Sequence, residues 1–339
     1  MNQEDRFLRT VQLSLVSISA MVALLVLMTV VIINPAIVRF IQIDGADKTS
    51  NKIPIKQSAS WSPPDSVKIP MTDDGDLIRY GQELVSKTSM YLGPRGSVVH
   101  VTNGMNCQNC HLKAGKKPFG NNYSAVASTY PKFRARSGSI ESIEKRVNDC
   151  IERSLNGQRL DEGSREMQGF VAYIRWLGKD VQPGVTPEGA GIFNLPLLER
   201  AASPLAGKKV YQRDCQRCHG ENGEGIRINE FAWRYPPVWG EESFNAGAGL
   251  FRLSRMAGYV KMNMPQDISG DKPLLTVEEA WDVSAFINSM PRPRGDFSRD
   301  WPDISTKPFD HPFGPFTDKF PAEQHKYGPF EPIKFGEKK

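Results

Sequence analysis

The longest apolar stretch of the chain spans residues 11–33 and contains no charged residue. A helix of about 20 such residues crosses a lipid bilayer. Arg6 and Arg9 precede the stretch, which favours an N-terminus on the cytoplasmic side. A cleaved signal peptide is the alternative, but its apolar region would be unusually long and no clear A-x-A cleavage site follows. The pattern therefore predicts an uncleaved, single-pass membrane anchor within residues 1–43.

A linker rich in Ser, Pro, Asp and Lys follows at residues 44–74. The region 75–178 then shows three segments in which apolar residues recur every three or four positions, the spacing of helices with one buried face. The apolar positions of the three segments are Leu77, Tyr80, Leu84 and Val85; Ile140, Ile143, Val147 and Ile151; and Met167, Phe170, Val171, Ile174 and Leu177.

Local end signals delimit two of these helices. Ser139 can cap the N-terminus of the second helix, and Asn156-Gly157 supplies its stop signal. Ser164 can cap the N-terminus of the third helix, and Gly178 supplies its stop signal. The sequence therefore predicts one helix from Ser139 to Asn156 and another between Ser164 and Gly178.

The second half of the chain repeats this organisation. A connector with several Pro and Gly residues covers 179–202, and a second domain is predicted at 203–290. Its last helix opens with Thr276-Val277-Glu278-Glu279, a capping box in which Thr and Glu satisfy each other's backbone amides. The residues expected to pack inward from that helix are Trp281, Ala285 and Phe286.

Residues 291–339 form a tail that is dense in both proline and aromatic residues. Disorder is the usual state of a proline-rich tail, but the aromatics favour an extended strap that lies on the two domains. The predicted fold is therefore mainly α, with two domains in tandem, an N-terminal transmembrane helix and a C-terminal strap. Two domains also agree with a length of 339 residues.

The net charge of the chain limits the kinds of molecule that it is expected to bind. There are 43 Lys and Arg against 38 Asp and Glu, a net charge of +5 that is spread along the sequence. No helix-turn-helix or zinc-finger pattern accompanies it, so nucleic acid is excluded as a partner. A mildly basic surface suits anionic substrates or acidic redox partners.

The five cysteines supply the strongest chemical signal. Cys107-Gln108-Asn109-Cys110-His111 and Cys215-Gln216-Arg217-Cys218-His219 both read C-x-x-C-H, the attachment motif of c-type heme. The two thiols of each motif bind a heme covalently, and the histidine is the proximal iron ligand. We therefore predict two covalently bound heme c groups, one in each of two cytochrome c-like domains.

This use of cysteine also bears on location. Four of the five cysteines belong to the two motifs, which excludes a disulfide framework. Covalent heme attachment of this kind takes place outside the cytoplasm. With the anchor retained, the protein would sit in the inner membrane with its domains in the periplasm. With the N-terminus cleaved, it would be a soluble periplasmic protein.

Cys150 is the cysteine outside the motifs. Arg146 and Ser154 are four residues before and after it, so the three share one face of the predicted helix. Arg136 approaches from the preceding loop, and arginine forks match the oxygens of a sulfur oxyanion. Cys150 is then either a small buried apolar residue or a thiolate bound to the first heme iron. For Arg153 we expect a solvated position.

The distal ligand of the second heme should follow His219. Met264, which precedes a proline, is the first candidate, and Lys261 and Met262 are alternatives. Methionine opposite histidine raises the reduction potential relative to a thiolate, so electrons would enter at the first heme and leave by the second. The remaining histidines are expected to be structural or surface residues: His100, His311 and His325.

Three segments resemble the diheme thiosulfate dehydrogenases. They are Cys150-Ile151-Glu152-Arg153-Ser154-Leu155-Asn156-Gly157, Ser164-Arg165-Glu166-Met167 and Tyr173-Ile174-Arg175-Trp176-Leu177. The resemblance runs from about Trp61 to the C-terminus and includes both C-x-x-C-H motifs. The N-terminal anchor departs from the soluble members of that family.

The resemblance implies an activity. Such enzymes join two thiosulfates to give tetrathionate or run the reverse reduction, and they exchange electrons with a c-type cytochrome or another membrane redox partner. It implies His111 and Cys150 as axial ligands of an active-site heme, with Arg136, Arg146 and Ser154 binding substrate. It also implies that Lys can replace Met on the second heme when the redox state changes.

Two other functions remain as alternatives. A membrane-anchored diheme cytochrome that only relays electrons would need neither the thiolate nor the arginines beside it. A heme peroxidase would need an acid–base residue at an open iron site, and the remaining histidines offer no recognisable context for one.

Overall fold

The molecule is mainly helical, and its helices are short. The computed structural model describes residues 61–266 and 273–336, together with 19, 21 and 22. In the first half the helices are α1 Asp73–Ser86, α2 Thr88–Leu92, α3 Val126–Thr129, α4 Ile143–Arg153 and α5 Arg165–Leu177. Further on they are α6 Pro204–Val210, α7 Gln216–His219, α8 Leu253–Asn263, α9 Val277–Ser289, α10 Ala322–Tyr327 and α11 Glu331–Phe335.

Single turns and two small hairpins complete the secondary structure. Leu112–Gly115 is a helical turn in which Lys113, Ala114 and Gly115 all have positive φ. The 3-10 turns are Ser66–Lys68, Cys107–Asn109, Gly249–Phe251 and Ile304–Thr306, and Tyr211–Cys215 is a π-helical turn. The antiparallel strand pairs are β1 Lys132–Arg134 with β2 Ser139–Glu141, and β3 Ile226–Asn229 with β4 Ala232–Tyr235.

Each heme domain is framed by its first and last helices, which cross at a glycine. In the first domain α1 packs on α5, and a Cβ on Gly81 would lie 1.9 Å from the carbonyl oxygen of Gly169. In the second domain α6 packs on α9, and a Cβ on Gly207 would lie 1.8 Å from the carbonyl oxygen of Asp282. Only glycine permits such close backbone contact, so the same device closes both domains.

The ends of α5 and α9 are where the sequence predicts them. Ser164 accepts a hydrogen bond from the amide of Met167, and Gly178 follows the last residue of α5. Thr276 and Glu279 form the reciprocal capping box of α9. The five apolar residues predicted for α5 are all buried, as are Trp281 and Ala285 of α9.

The helix that contains Cys150 is shorter than predicted. It begins at Ile143 with Ser142 as its cap, whereas Ser139 belongs to β2. Ile140 pairs with Phe133 across the hairpin, and its side chain is 73% exposed, so it is not part of the buried stripe. A β-branched residue flanked by Ser and Glu suits an exposed hairpin strand, and the apolar spacing alone did not exclude that conformation.

The tail packs on the domains, as predicted, but it is not extended throughout. Pro321 precedes α10, and Gly328, with a φ of 85°, ends it. Phe330 is buried and lies 5.6 Å from the Trp281 ring, centroid to centroid. A proline-free stretch of six residues between these two signals is enough for a short helix, which the overall proline content obscured.

The two domains pack against each other through hydrogen bonds as well as through apolar side chains. The described residues from 61 onward belong to one compact unit, and one cluster of buried apolar residues includes side chains of both domains. Asn103 of the first domain donates to the carbonyl oxygens of Glu242 and Ser243 at 3.0 Å. Since both domains contribute to this core, their relative orientation is part of the fold.

No helix within the described residues is long and apolar enough to cross a membrane. The anchor predicted at 11–33 lies outside those residues, apart from positions 19, 21 and 22.

Candidate active site

The two C-x-x-C-H histidines are held in the same way. His111 Nδ1 donates a hydrogen bond to the carbonyl oxygen of Asn121 at 2.5 Å, and His219 Nδ1 donates to that of Pro236 at 2.9 Å. A carbonyl oxygen only accepts, so the proton is on Nδ1 and Nε2 carries the lone pair that could ligate a metal. In His111 that nitrogen accepts a long hydrogen bond of 3.5 Å from Asn121 Nδ2. Burial lowers the pKa of His111 to about 4 and also lowers the pKa of His219, so both rings are neutral at pH 7.

Sequence reasoning did not find these two carbonyl acceptors. They lie 10 and 17 residues beyond their histidines. Every residue has a carbonyl group, so no residue type marks one that will orient a histidine. Only the path of the loop after each motif decides which carbonyl is in reach.

The second motif opens into a cavity of about 430 Å³, within the size range of cofactor pockets. Cys215, Cys218 and His219 line it, and Met264 lines it as well. The rest of the wall is mostly apolar, with Leu250, Met256, Val260, Leu275 and Ile287, but Cys110 of the first motif and charged residues also line it: Lys87, Lys113, Asp214 and Arg234. A thioether and a neutral imidazole in an apolar cavity are the surroundings expected for a covalently attached heme.

Of the three candidates for the second distal ligand, Met264 alone is among the residues that line this cavity. Lys261 instead donates a hydrogen bond through Nζ to the carbonyl oxygen of Leu275. Met262 is half-buried and absent from the cavity wall. The arrangement therefore favours Met264 over Lys261 and Met262.

In the first domain Cys150 lies close enough to the attachment cysteines to act on them electrostatically. The pKa values of Cys107 and Cys110 are raised to about 12, mainly by burial, with a smaller contribution from negative charge on Cys150. The same charge contributes to raising the pKa of Tyr123, again after burial. Tyr123 packs on the His111 ring, with 4.5 Å between centroids. A thiol remote in sequence thus lies within electrostatic range of the residues that would hold the first heme.

Arg146 supplies positive charge beside this thiol, and Arg136 lies close enough to Arg146 for their charges to interact. Cys150 is the main reason that the pKa of Arg146 is raised, as expected one turn away on α4. Burial, followed by repulsion from Arg153 and Arg146, lowers the pKa of Arg136 to about 10. Arg136 therefore remains a cation at neutral pH, and its environment favours the arrival of an anion.

Neither of these arginines forms a salt bridge with a carboxylate among the residues that the structure describes. The carboxylates near them have other partners. Asp149 pairs with Lys145, and Glu141 lies 3.9 Å from Arg134. Two neighbouring cations without such a partner, one of them beside a thiol, can bind a dianion.

Arg153 is not solvated, contrary to the expectation from its helix position. Its two terminal nitrogens donate to the two carboxylate oxygens of Asp300, each at 2.8 Å, and only 15% of its side chain is exposed. The partner comes from the tail, 147 residues away in sequence, which local periodicity cannot reveal.

Ser154 ends the helix of Cys150. It is half-buried, and its amide donates to the carbonyl oxygen of Cys150 at 2.7 Å. The remaining histidines have structural contacts, as predicted. His100 bonds to the Gly96 carbonyl, His311 to the Phe313 carbonyl, and buried His325 to the Phe309 carbonyl and to Asp318.

Comparison with known proteins identifies both domains. Residues 97–182 match the family described as "SoxA/TsdA, cytochrome c domain", and residues 205–291 match the cytochrome c family. Each match contains one of the two C-x-x-C-H motifs. The protein accordingly has two covalently bound heme c groups.

Similar proteins align over most of the chain. The thiosulfate dehydrogenase of Psychrobacter arcticus is 35% identical over 261 residues, 76% of this chain and 75% of that protein. That of Allochromatium vinosum is 35% identical over 223 residues, 65% and 79% of the two chains. A solved structure, thiosulfate dehydrogenase (TsdBA) from Marichromatium purpuratum, aligns with a TM-score of 0.64 at 30% identity and covers 69% of this chain and 50% of that one. The chain belongs to the diheme thiosulfate dehydrogenase family.

Proposed function

We propose that the protein joins two thiosulfates to form tetrathionate, or carries out the reverse reduction, at its first heme. The observation on which this depends is the position of Cys150, which interacts electrostatically with Cys107, Cys110 and Arg146. Arg146 has no carboxylate partner within hydrogen-bonding distance among the residues that the structure describes. The relatives named above are thiosulfate dehydrogenases, which supports the choice of substrate.

The arginines answer the main electrostatic difficulty of this reaction. Two thiosulfate dianions must approach each other, and their repulsion grows as water is excluded from the site. Arg146 and Arg136 place two positive charges there that need no rearrangement when the substrate arrives. The planar fork of arginine also matches the oxygens at the sulfonate end of thiosulfate. Ser154 adds a hydroxyl one turn after Cys150.

Cys150 is the nucleophile in this proposal. Its thiolate forms a bond with the outer sulfur of one thiosulfate, and two electrons leave. The outer sulfur of a second thiosulfate then attacks that same atom, releases tetrathionate and returns the thiolate. The sum is two thiosulfates converted to one tetrathionate and two electrons, and the reverse sequence consumes two electrons.

The hemes supply the acceptor or donor for these electrons. His111 and Cys150 would be the axial ligands of the first, with His219 and Met264 those of the second. The second heme would pass electrons to or from a c-type cytochrome or another membrane redox partner. We place the domains in the periplasm, held by the predicted anchor, because heme attachment of this type belongs outside the cytoplasm.

The test mixes the purified holoprotein with thiosulfate and ferricyanide and measures both bleaching and tetrathionate. A second experiment starts from reduced protein and tetrathionate. The Cys150→Gly variant is assayed beside the parent, after mass spectrometry has shown two attached hemes in each. We expect the parent to react and the variant to be inactive.

Two results would contradict the proposal. Near-normal turnover by Cys150→Gly would remove the role of the thiol. A parent protein that carries both hemes but reacts in neither direction would instead be the simple electron relay.

A further inference from the structure

Arg136 lies where three parts of the chain meet. It belongs to the turn between β1 and β2, in the first domain. Its Nη1 donates to the carbonyl oxygen of Gly247 in the second domain at 3.2 Å. Its own carbonyl oxygen accepts from the amide of Trp301 in the tail at 2.7 Å, and its guanidinium lies over the Trp301 ring, 5.8 Å from the centroid.

The contacts around this junction are close. A Cβ on Gly247 would lie 2.2 Å from the Phe297 ring. Asp300 holds Arg153 by two hydrogen bonds. Trp301 is 9% exposed and has a φ of 61°, a conformation that is rare for a bulky residue. Such a conformation persists only where its surroundings enforce it, often at functional sites.

We propose that Trp301 and the Gly247 carbonyl are positioning residues for Arg136, which bring its guanidinium into place for a sulfur oxyanion. This inference rests on the proposed function. Both partners of Arg136 are electrically neutral. An aromatic face and a carbonyl oxygen restrict the side chain without cancelling its charge, whereas a carboxylate would occupy the fork that the substrate needs.

The neighbouring arginine shows the contrast. Arg153 has Asp300 as a bidentate partner, so its charge is compensated and its fork is filled. Arg136 has no such carboxylate among the described residues. Two residues of the tail therefore have different effects on the two arginines. Asp300 neutralises the charge of Arg153, and Trp301 orients Arg136.

The first experiment compares Trp301→Leu, Trp301→Phe and the control Phe330→Leu in the holoprotein. Phe330 is another buried tail aromatic, and its ring packs on Trp281 and not on Arg136. We expect Trp301→Leu to raise the KM for thiosulfate by about three- to tenfold, the range of a partly desolvated cation–π contact, with little change in kcat. Trp301→Phe should restore most of the affinity. Phe330→Leu should lower Tm without changing KM.

A second variant addresses the carbonyl. Gly247→Ala forces the new Cβ against Phe297 and displaces the carbonyl that Arg136 contacts, so its KM should rise as well. In an Arg136→Gln background, Trp301→Leu should have almost no further effect on KM, because the side chain through which it acts is gone.

Binding is also measured without turnover, as the rise in Tm that thiosulfate causes in the oxidised holoprotein. A parent that turns over, with unchanged KM and unchanged thermal shift in Trp301→Leu and Gly247→Ala, would overturn this inference alone. A parent that binds thiosulfate but does not turn over would overturn the proposed function. In that case, a smaller thermal shift in Trp301→Leu would still support the positioning role, and an equal shift would reject it.

Discussion

The first and second heme domains share their helix packing and the orientation of their C-x-x-C-H histidine. They differ in the sulfur side chain that lies near the attachment motif. Both close through a helix crossing at a glycine, Gly81 in one and Gly207 in the other. Both turn Nδ1 of the C-x-x-C-H histidine to a backbone carbonyl. In the second domain the thioether of Met264 lines the same mostly apolar cavity as that histidine. In the first domain the thiol of Cys150 has the charged Arg146 as its neighbour.

This difference indicates which residues would have to change for one heme domain to take on the function of the other. A thioether in a mostly apolar cavity suits electron transfer. A thiol beside a cation suits the nucleophile with an anion site that we propose above for Cys150. The shared frame holds a heme in either case, so the function of each domain depends on a few distal side chains.

The largest effect is expected when the proposed distal ligand of the first heme is replaced by that of the second, in the variant Cys150→Met. In Cys150→Met the nucleophile is lost while a sulfur ligand remains, so kcat/KM should fall on the order of 10³-fold or more. The reduction potential of the first heme should rise toward that of the second. Spectroelectrochemistry and the ferricyanide assay measure the two effects. Substantial remaining activity would mean that metal ligation, and not thiol chemistry, is what Cys150 contributes.

The next effect concerns the charge beside the thiol. Arg146→Gln should lower kcat/KM by roughly 10- to 100-fold, the cost of one charge-assisted hydrogen bond. Arg146→Lys should recover part of the loss, because it restores the charge without the fork. Steady-state kinetics measures both variants against Arg159→Gln, a half-exposed arginine paired with Glu162. Equal kinetics for Arg146→Gln and Arg159→Gln would show that Arg146 does not meet the substrate.

Whether the sequence could predict a feature depended on how far apart the interacting residues lie along the chain. The attachment motifs, the caps Ser164 and Thr276 and the grouping of Arg146 with Cys150 lie within five residues of chain, and the sequence predicted them. The pairing of Arg153 with Asp300 joins residues 147 positions apart, so no local pattern could show it. The contact of Trp301 with Arg136 likewise joins residues that are far apart in the sequence, so no local pattern could show it.

A separate kind of error arose at Ser139. Both Ser139 and Ser142 are good helix caps, and Ile140 fits either an apolar helix stripe or an exposed strand. The turn at Gly138, with a φ of 64°, and the pairing of β2 with β1 decide in favour of the strand. Local propensity was ambiguous there, and the structure shows which alternative is adopted.

The distal ligand of the second heme gives a smaller effect on catalysis. Met264→Leu should shift the reduction potential of the second heme and change its absorption spectrum, while KM for thiosulfate stays the same. Lys261→Ala and Met262→Leu test the two alternatives, and we expect both to keep the parent's spectrum in the oxidised and reduced states. If Lys261→Ala alone altered the spectrum of one redox state, Lys261 and not Met264 would be the ligand in that state.

The smallest expected effect tests whether the two domains behave as one structural unit. Tyr259 of α8 donates from its hydroxyl to the carbonyl oxygen of Asn109, inside the first attachment motif, at 3.2 Å. Tyr173 makes a comparable bond within the first domain, to the Ala114 carbonyl at 2.9 Å. Both tyrosines are buried, and each Tyr→Phe change should cost about 1 kcal/mol of unfolding free energy.

The two variants differ in which transition they should affect. Urea unfolding is followed by far-UV circular dichroism and by heme absorption. Because the domains share a core and cross-domain hydrogen bonds, Tyr259→Phe should shift the same single transition as Tyr173→Phe. Two separate transitions, with only Tyr173→Phe moving one of them, would show that the domains unfold independently. The contrast between them would then be one between two separate cytochromes, and not between two halves of a single enzyme.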